Sequence, residues 1–444
     1  MTTPVRRPAV GDGAAGWSRA LLRGFLVFLP IAGIGLGAAI VSFAIAGPGV
    51  SFAGALRIGA LYLGPFHHVA LVIRGDLAVD VSRLPGSGAP AGASTTVEIG
   101  VALLAVTALA AWLLFRAGRA SAIGDGAVVR ALSGARVALG YAPPVLLAAL
   151  LVRFEEPVEL GSFVTGVVRI SMSVWQALVF PLAIAALAGA SGGLWSWVAA
   201  ASDRRAAVLT RAVLGGGWRM FLIGLGLAYL GLFVAGIVQP DAPVATATPS
   251  TARYFATVFE RPGRGAVILG HHLAVSPNEA MWTLVPVTGA CDVVRGSEQA
   301  NILCYGRFPL RIAPDGAVTF GGAPWGYLAF LVVPAVATVV GGRWAASSRE
   351  RAGWSGAGIG AASGVAFAAS VFAGCLLASV TLSYGAAAGA SGGAQGHLWI
   401  GPDPVLGTLF ALAWGVLGGA LGGACAGIMV PRAGRRPAGR SAMH

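Results

Sequence analysis

Residues 405–430 read VLGTLFALAWGVLGGALGGACAGIMV, a run without a charged side chain in which Gly415, Gly419, Gly423 and Gly427 recur every fourth position. A helix needs about 20 apolar residues to cross a bilayer, and this run supplies them. Glycines four apart share one helix face and leave a flat groove into which a neighbouring backbone can settle, the close packing that holds helices together where lipid tails are as apolar as leucine. Gly356, Gly360 and Gly364 repeat the pattern one span earlier, and shorter versions occur at Gly33 and Gly37 and at Gly189 and Gly193. Packing within one chain accounts for these grooves more simply than a dimer does.

Seven further stretches satisfy the same length rule: 21–46, 98–115, 131–152, 173–200, 218–238, 325–342 and 356–383. The chain of 444 residues is 56% hydrophobic and 11% charged, where a soluble domain carries about 25% charged residues. The expected fold is therefore an all-α integral membrane protein with eight transmembrane helices. The expected organisation is a tail at 1–20, a first four-helix half at 21–200, a linker at 201–217, a second half at 218–430 that includes a large loop at 239–324, and a tail at 431–444.

All 30 basic residues are arginine, which removes any P-loop reading because that motif needs a lysine at the phosphates. In a soluble chain such basicity would suggest a nucleic-acid partner. Here the arginines cluster in the short links between apolar runs, as in cytoplasmic loops. With the amino terminus inside, 19 of the 30 arginines and four of the 17 acids lie on the cytoplasmic side, a balance of +15 against −2 outside. The prediction is a multi-pass plasma-membrane protein with both termini cytoplasmic, the bilayer as its first partner and no nucleic acid. The first apolar run exceeds the h-region of a signal peptide, so it reads as an uncleaved anchor.

Two more apolar stretches, 58–73 and 266–290, each contain a His-His pair and proline. Were both to span, two arginine-rich loops would move outside against the charge bias, so they are predicted to be re-entrant or interfacial helices on the outer face. Each half then has four spans, an even number, and a 4+4 repeat would be parallel, related by an axis along the membrane normal. His67-His68-Val69-Ala70-Leu71 and His271-His272-Leu273-Ala274-Val275 share a local pattern. A repeat would bring His67, His68, His271 and His272 to equivalent outer positions, the first place to seek a ligand. Neighbouring residues on a helix point about 100° apart, and no H-E-x-x-H or C-x-x-C spacing reinforces a metal reading. No metal or other cofactor is expected.

Cys375 and Cys425 lie within spans and read as small packing residues. Cys291 and Cys304 share the large outer loop, where an oxidising environment permits a disulfide. Around them, 292–294, 301–308, 310–313 and 317–320, with a Pro314-Asp315-Gly316 turn, read as a short β-meander. No EF-hand loop or dinucleotide fingerprint after a strand is present, and no carboxylate falls clearly within a span. A non-enzymatic role through the outer loops, on an envelope protein partner, follows best. A permease with a site between the halves, and an enzyme for outer-leaflet or lipid-linked substrates using Glu155, Glu156 and Glu159, are the alternatives.

Ile73-Arg74-Gly75-Asp76-Leu77, a polar loop, and a helix ending Trp112-Leu113-Leu114-Phe115-Arg116-Ala117-Gly118-Arg119 resemble the first loop and second helix of actinobacterial multi-pass membrane proteins of the streptophobe type. Ser276-Pro277-Asn278-Glu279-Ala280-Met281-Trp282 is similar to an outer segment of related families. The chain departs from them in its His-His pairs and loop cysteines. The resemblance implies topology and a bacterial plasma membrane, and brings no catalytic residue with it.

Overall fold

The structure, a computed structural model, describes residues 14–46, 51–79, 91–160, 164–200, 205–238, 262–296, 299–304, 310–312, 318–320, 329–347, 355–388 and 393–426. Its first half runs α1 (Ala14–Ala46), α2 (Phe52–Leu61), α3 (Leu63–Phe66), β1 (Leu71–Val79), β2 (Ala91–Val101), α4 (Leu104–Ser121), α5 (Ala127–Ala135), α6 (Ala138–Leu151), β3 (Phe154–Leu160), β4 (Val164–Met172) and α7 (Val174–Ala200). Its second half runs α8 (Arg205–Val238), α9 (Pro262–Thr288), β5 (Cys291–Arg295), β6 (Gln299–Cys304), β7 (Leu310–Ile312), β8 (Val318–Phe320), α10 (Val332–Ala346), α11 (Gly356–Ala378), β9 (Val380–Ala388), β10 (Gly393–Pro402) and α12 (Pro404–Cys425).

Among the described residues, seven helical stretches are long and apolar enough to cross a membrane: Ala14–Val41, Ala127–Leu151, Val174–Ala200, Arg205–Val234, Ala329–Ala346, Gly356–Ala378 and Pro404–Cys425. Large apolar side chains cover their outward faces, with Leu151 78%, Leu417 72% and Trp175 71% exposed, a surface that water would penalise and lipid would not. The protein is thus a helical membrane protein. The 18-residue α4, with Arg116 and Arg119 inside it, is not among the seven.

Three boundaries differ from the expected ones. The second apolar stretch does not begin a helix at Glu98; residues 91–101 are strand β2, and α4 starts at Leu104. Thr95, Thr96, Val97 and Ile99 suit a pleated surface, and β2 is paired on both sides. The segment at 356–383 likewise divides into α11 and β9. The expected linker at 201–217 is helical from Arg205 onward. Ser355 and Asp403 set two of the helix starts, Ser355 accepting from the Gly358 amide and Asp403 from the Val405 and Leu406 amides, bonds worth about 1 kcal/mol each.

The strands form an eight-stranded antiparallel sheet in the order β3-β4-β1-β2-β9-β10-β5-β6, with β7 and β8 paired separately. A β element confined to the cysteine loop was expected, but six of the eight strands come from outside it. In β2 and β9 the apolar residues run straight into those of the adjoining helix, and in β3 Glu155, Glu156 and Glu159 read as a solvated loop. All eight gather at one end of the helices, where α6, α9 and α11 finish and α4, α7 and α12 begin. The seam between the halves is β2 against β9, in register from Ala93↔Ala388 to Val101↔Val380. Within the cysteine hairpin, Cys291 faces Cys304 and the two are disulfide-bonded.

Each half buries a core of its own, one around Leu114, Tyr141 and Met172, the other around Met281, Leu284 and Phe367. Glycines set the helix crossings, and the crossings recur. Gly118 of α4 lies against Gly189 of α7, and Gly342 of α10 against Gly419 of α12. Gly134 meets Gly189 and Gly193, as Gly360 meets Gly419 and Gly423; Gly192 meets the Phe115 carbonyl, as Gly422 meets that of Val339. Gly24 lies on Val137 and Tyr141, as Gly217 does on Ser363 and Phe367. The groove read from the last span is therefore occupied, with Gly356 against Gly423 and Gly364 against Gly415; Gly427 lies outside the described residues. Gly33 and Gly37 face open space, so that pair is no packing groove.

Candidate functional site beneath the sheet

The turn that leads from a helix into the first strand of each half is built alike. His68 (φ +60°) and Gly289 (φ +112°) take the same left-handed conformation. The Ala70 carbonyl accepts from the Ser173 amide at 2.9 Å, and the Cys291 carbonyl from the Asp403 amide at 2.9 Å. One residue on, Leu71 pairs with Met172 and Asp292 with Pro402. The His68 ring packs on Phe180, with centroids 5.6 Å apart, and Gly289 lies under the Phe410 ring. His67 and His68 thus answer to Thr288 and Gly289.

The histidine pairs therefore do not occupy equivalent places. His271 and His272 lie in the interior of α9, well before its end at Thr288, and their side chains are outside the described residues. The shared His-His-apolar-Ala-apolar pattern falls on a turn in one half and a helix in the other, so it reports composition and not register.

In the first half the turn carries a buried imidazole. His67 is fully buried; its Nδ1 lies 2.7 Å from the Leu63 carbonyl and its Nε2 2.6 Å from the Tyr141 hydroxyl, itself buried. A carbonyl only accepts, so Nδ1 carries the proton, and Nε2 accepts from the tyrosine. Burial opposes the charged form, while the Leu63 bond favours it; the pKa of His67 falls to about 4 and the ring is neutral. Burial lowers that of His68 as well, and its buried Nδ1 has no partner among the described residues.

In the second half the buried ionisable groups lie further along, Asp292 at the position of Leu71 and Asp403 at that of Ser173. Asp292, at the second position of β5, is 1% exposed, and neither carboxyl oxygen has a hydrogen-bond partner among the described residues. The pairing with β6 slips between Asp292 and Val293, and both side chains are buried. Asp403 is buried beside it; its Oδ1 caps α12 and its Oδ2 pairs with Arg295 Nη2 at 3.2 Å. The Arg295 guanidinium lies 5.1 Å from the Trp399 ring, and its buried Nε has no partner among the described residues. Cys375, buried in α11, is within electrostatic reach of both carboxyls. Desolvation pushes the Asp292 carboxyl well above the usual carboxylate range.

Between the halves, Asn278 of α9 bridges to the start of α4, donating to the Ala102 carbonyl at 2.6 Å and accepting from the Leu104 amide at 3.1 Å. It satisfies an amide that the helix itself cannot. Glu155 and Asp76 share Arg169 in exposed ion pairs, which contribute little. Sequence reasoning passed over Asp292 and Asn278 because each sits in a stretch read as loop or interface. The one available signal for Asp292 was its place next to a predicted disulfide.

Among the described residues no group of three or more His, Cys, Asp or Glu could hold a metal ion. The string Gly189-Ala190-Ser191-Gly192-Gly193 has the letters of a serine-hydrolase elbow but lies inside α7, whereas that chemistry needs a strand-to-helix turn. No protein family, curated protein or solved structure matches the chain.

Proposed function

We propose that this is a multi-pass plasma-membrane protein of two parallel four-span repeats, both termini cytoplasmic, which works without catalysis by binding an envelope partner through its extracytoplasmic sheet. One observation carries the reading: both halves contribute strands to a single ordered sheet at one end of the helices. The recurring glycine crossings support the repeat, and they make α4 the counterpart of α10 and hence an eighth crossing. Orientation draws on the opposite end, where Arg23, Arg116, Arg119, Arg130, Arg136, Arg205, Arg211 and Arg343 collect near the other helix termini, as on a cytoplasmic face. A disulfide in the sheet suits the oxidising side. The resemblance to streptophobe-type proteins points to the same topology.

A permease is the second reading, favoured by the polar Asn278 bridge where the halves meet. Substituted-cysteine labelling in a Cys375→Ala, Cys425→Ala background separates the two. The binding reading expects impermeant thiol reagents to reach sheet positions from outside and leave mid-span positions of α4, α9 and α11 unlabelled. Labelling of facing mid-span positions from both sides would replace it with the permease. Labelling of Thr210→Cys from outside would overturn the orientation.

A further inference from the structure

A carboxylate with no partner is among the most costly groups to bury, and in practice it takes up a proton instead. Asp292 meets that condition: it is almost fully buried, both oxygens are unpartnered among the described residues, and a second buried carboxyl, Asp403, stands just past Pro402, the residue that pairs with Asp292. Among the described residues the cation at the cluster, Arg295, is engaged with Asp403. Two acids and one base leave an excess of one negative charge, which a single proton on Asp292 cancels.

We propose that Asp292 is a proton-binding site beneath the sheet, occupied at neutral pH and emptied as the pH rises. The step is a simple dissociation: the O–H bond of the carboxylic acid breaks, its electron pair stays on the carboxylate and the proton passes to water.

The ionisable groups on the elements around Asp292 are few. Arg295, three positions along β5, and Asp403, at the β10–α12 corner, pair with each other on the other face of the strand; Cys375 of α11 is within electrostatic reach of both carboxyls, and Cys304 of β6 is held in the disulfide. The last two turns of α9, 281–288, contain no titratable side chain, and His397 of β10 is exposed and bonded to Ser383. The inference goes beyond the binding reading and stands without it, since it concerns protonation of a described cluster and not what the sheet engages.

Infrared difference spectroscopy of the purified protein in nanodiscs, titrated from neutral to alkaline pH, tests it directly. The expected result is loss of a protonated-carboxyl C=O band that is absent from Asp292→Asn and kept in Asp403→Asn. Asparagine mimics the protonated acid in shape and charge, so Asp292→Asn should fold at neutral pH with normal thermal stability. A wild type without the band, a band that survives in Asp292→Asn, or an Asp292→Asn protein that fails to fold would each overturn the proposal.

Discussion

Replacing Gly419 by alanine adds one methyl group, and its surroundings determine the cost. A Cβ there would fall on the Gly360 carbonyl oxygen of α11, 2.9 Å from its carbon and 3.0 Å from Met220 Cε of α8. Met220 can turn aside, but the Gly360 carbonyl is helix backbone and cannot. The α11–α12 crossing has to open by roughly the difference from an ordinary contact, which for overpacking costs about 1–3 kcal/mol. That outweighs the fraction of a kcal/mol by which alanine improves on glycine as a helix former. Gly37→Ala is the matched control: nothing lies within 4 Å of the added carbon, so only the helix-propensity gain of up to about 1 kcal/mol remains. Thermal unfolding of detergent-purified protein, followed by size-exclusion chromatography, should show Gly419→Ala melting below the wild type and Gly37→Ala at or above it. Equal stability of the two variants would refute the claim that backbone contact, and not glycine content, governs the crossings.

Other outcomes follow from the sites beneath the sheet. Tyr141→Phe leaves the buried Nε2 of His67 unpaired and should cost about 1–3 kcal/mol, read as a lower midpoint of thermal unfolding; an unchanged midpoint would reject the bond at 2.6 Å. The folded-state pKa of His67 lies below its ordinary 6.5, at about 4. Its stabilising share is therefore complete above pH 6.5 and lost as pH falls toward 4, up to about 3 kcal/mol, and the wild type should weaken over that range relative to His67→Gln. Removing the disulfide by Cys291→Ser with Cys304→Ser opens a loop of sequence separation 13 and should cost about 3 kcal/mol by chain entropy, seen as faster proteolysis of the β5–β6 hairpin. Asn278→Ala should raise hydrogen exchange at the first turn of α4, because the Leu104 amide loses its acceptor; unchanged exchange there would count against the bridge.

The helices were legible in the sequence wherever an apolar run ended at a cap or an arginine cluster, as in α7 and α12. The cysteine hairpin was legible too, because β-branched residues flank a turn signal there. Glu98 shows why the wider sheet was not: β2 is followed without a polar break by the apolar start of α4, so strand and helix merged into one span. Val380 to Leu382 hid the start of β9 at the end of α11 in the same way. Periodicity also gives no depth to a single aspartate; the burial of Asp292 depends on elements that arrive from Pro402 and Cys375, far along the chain. The histidine match misled for the opposite reason, since five residues of common type were asked to fix a register that tertiary contacts fix otherwise.

The twin turns at His68 and Gly289 have a consequence for how the molecule experiences an acidifying surface. A neutral base and a neutral acid, both shut away from water, answer the same change with opposite sign. Lowering the pH from 6.5 toward 4 lets the unfolded chain take up a proton that buried His67 does not, and so weakens the first half; the same drop relieves the second, where the unfolded chain gives up its advantage in ionising Asp292. The two contributions act like weights on opposite arms of a balance whose beam is the β2–β9 seam. A melting temperature taken on the whole protein sums the two arms, so each is seen apart only in a variant that removes the other.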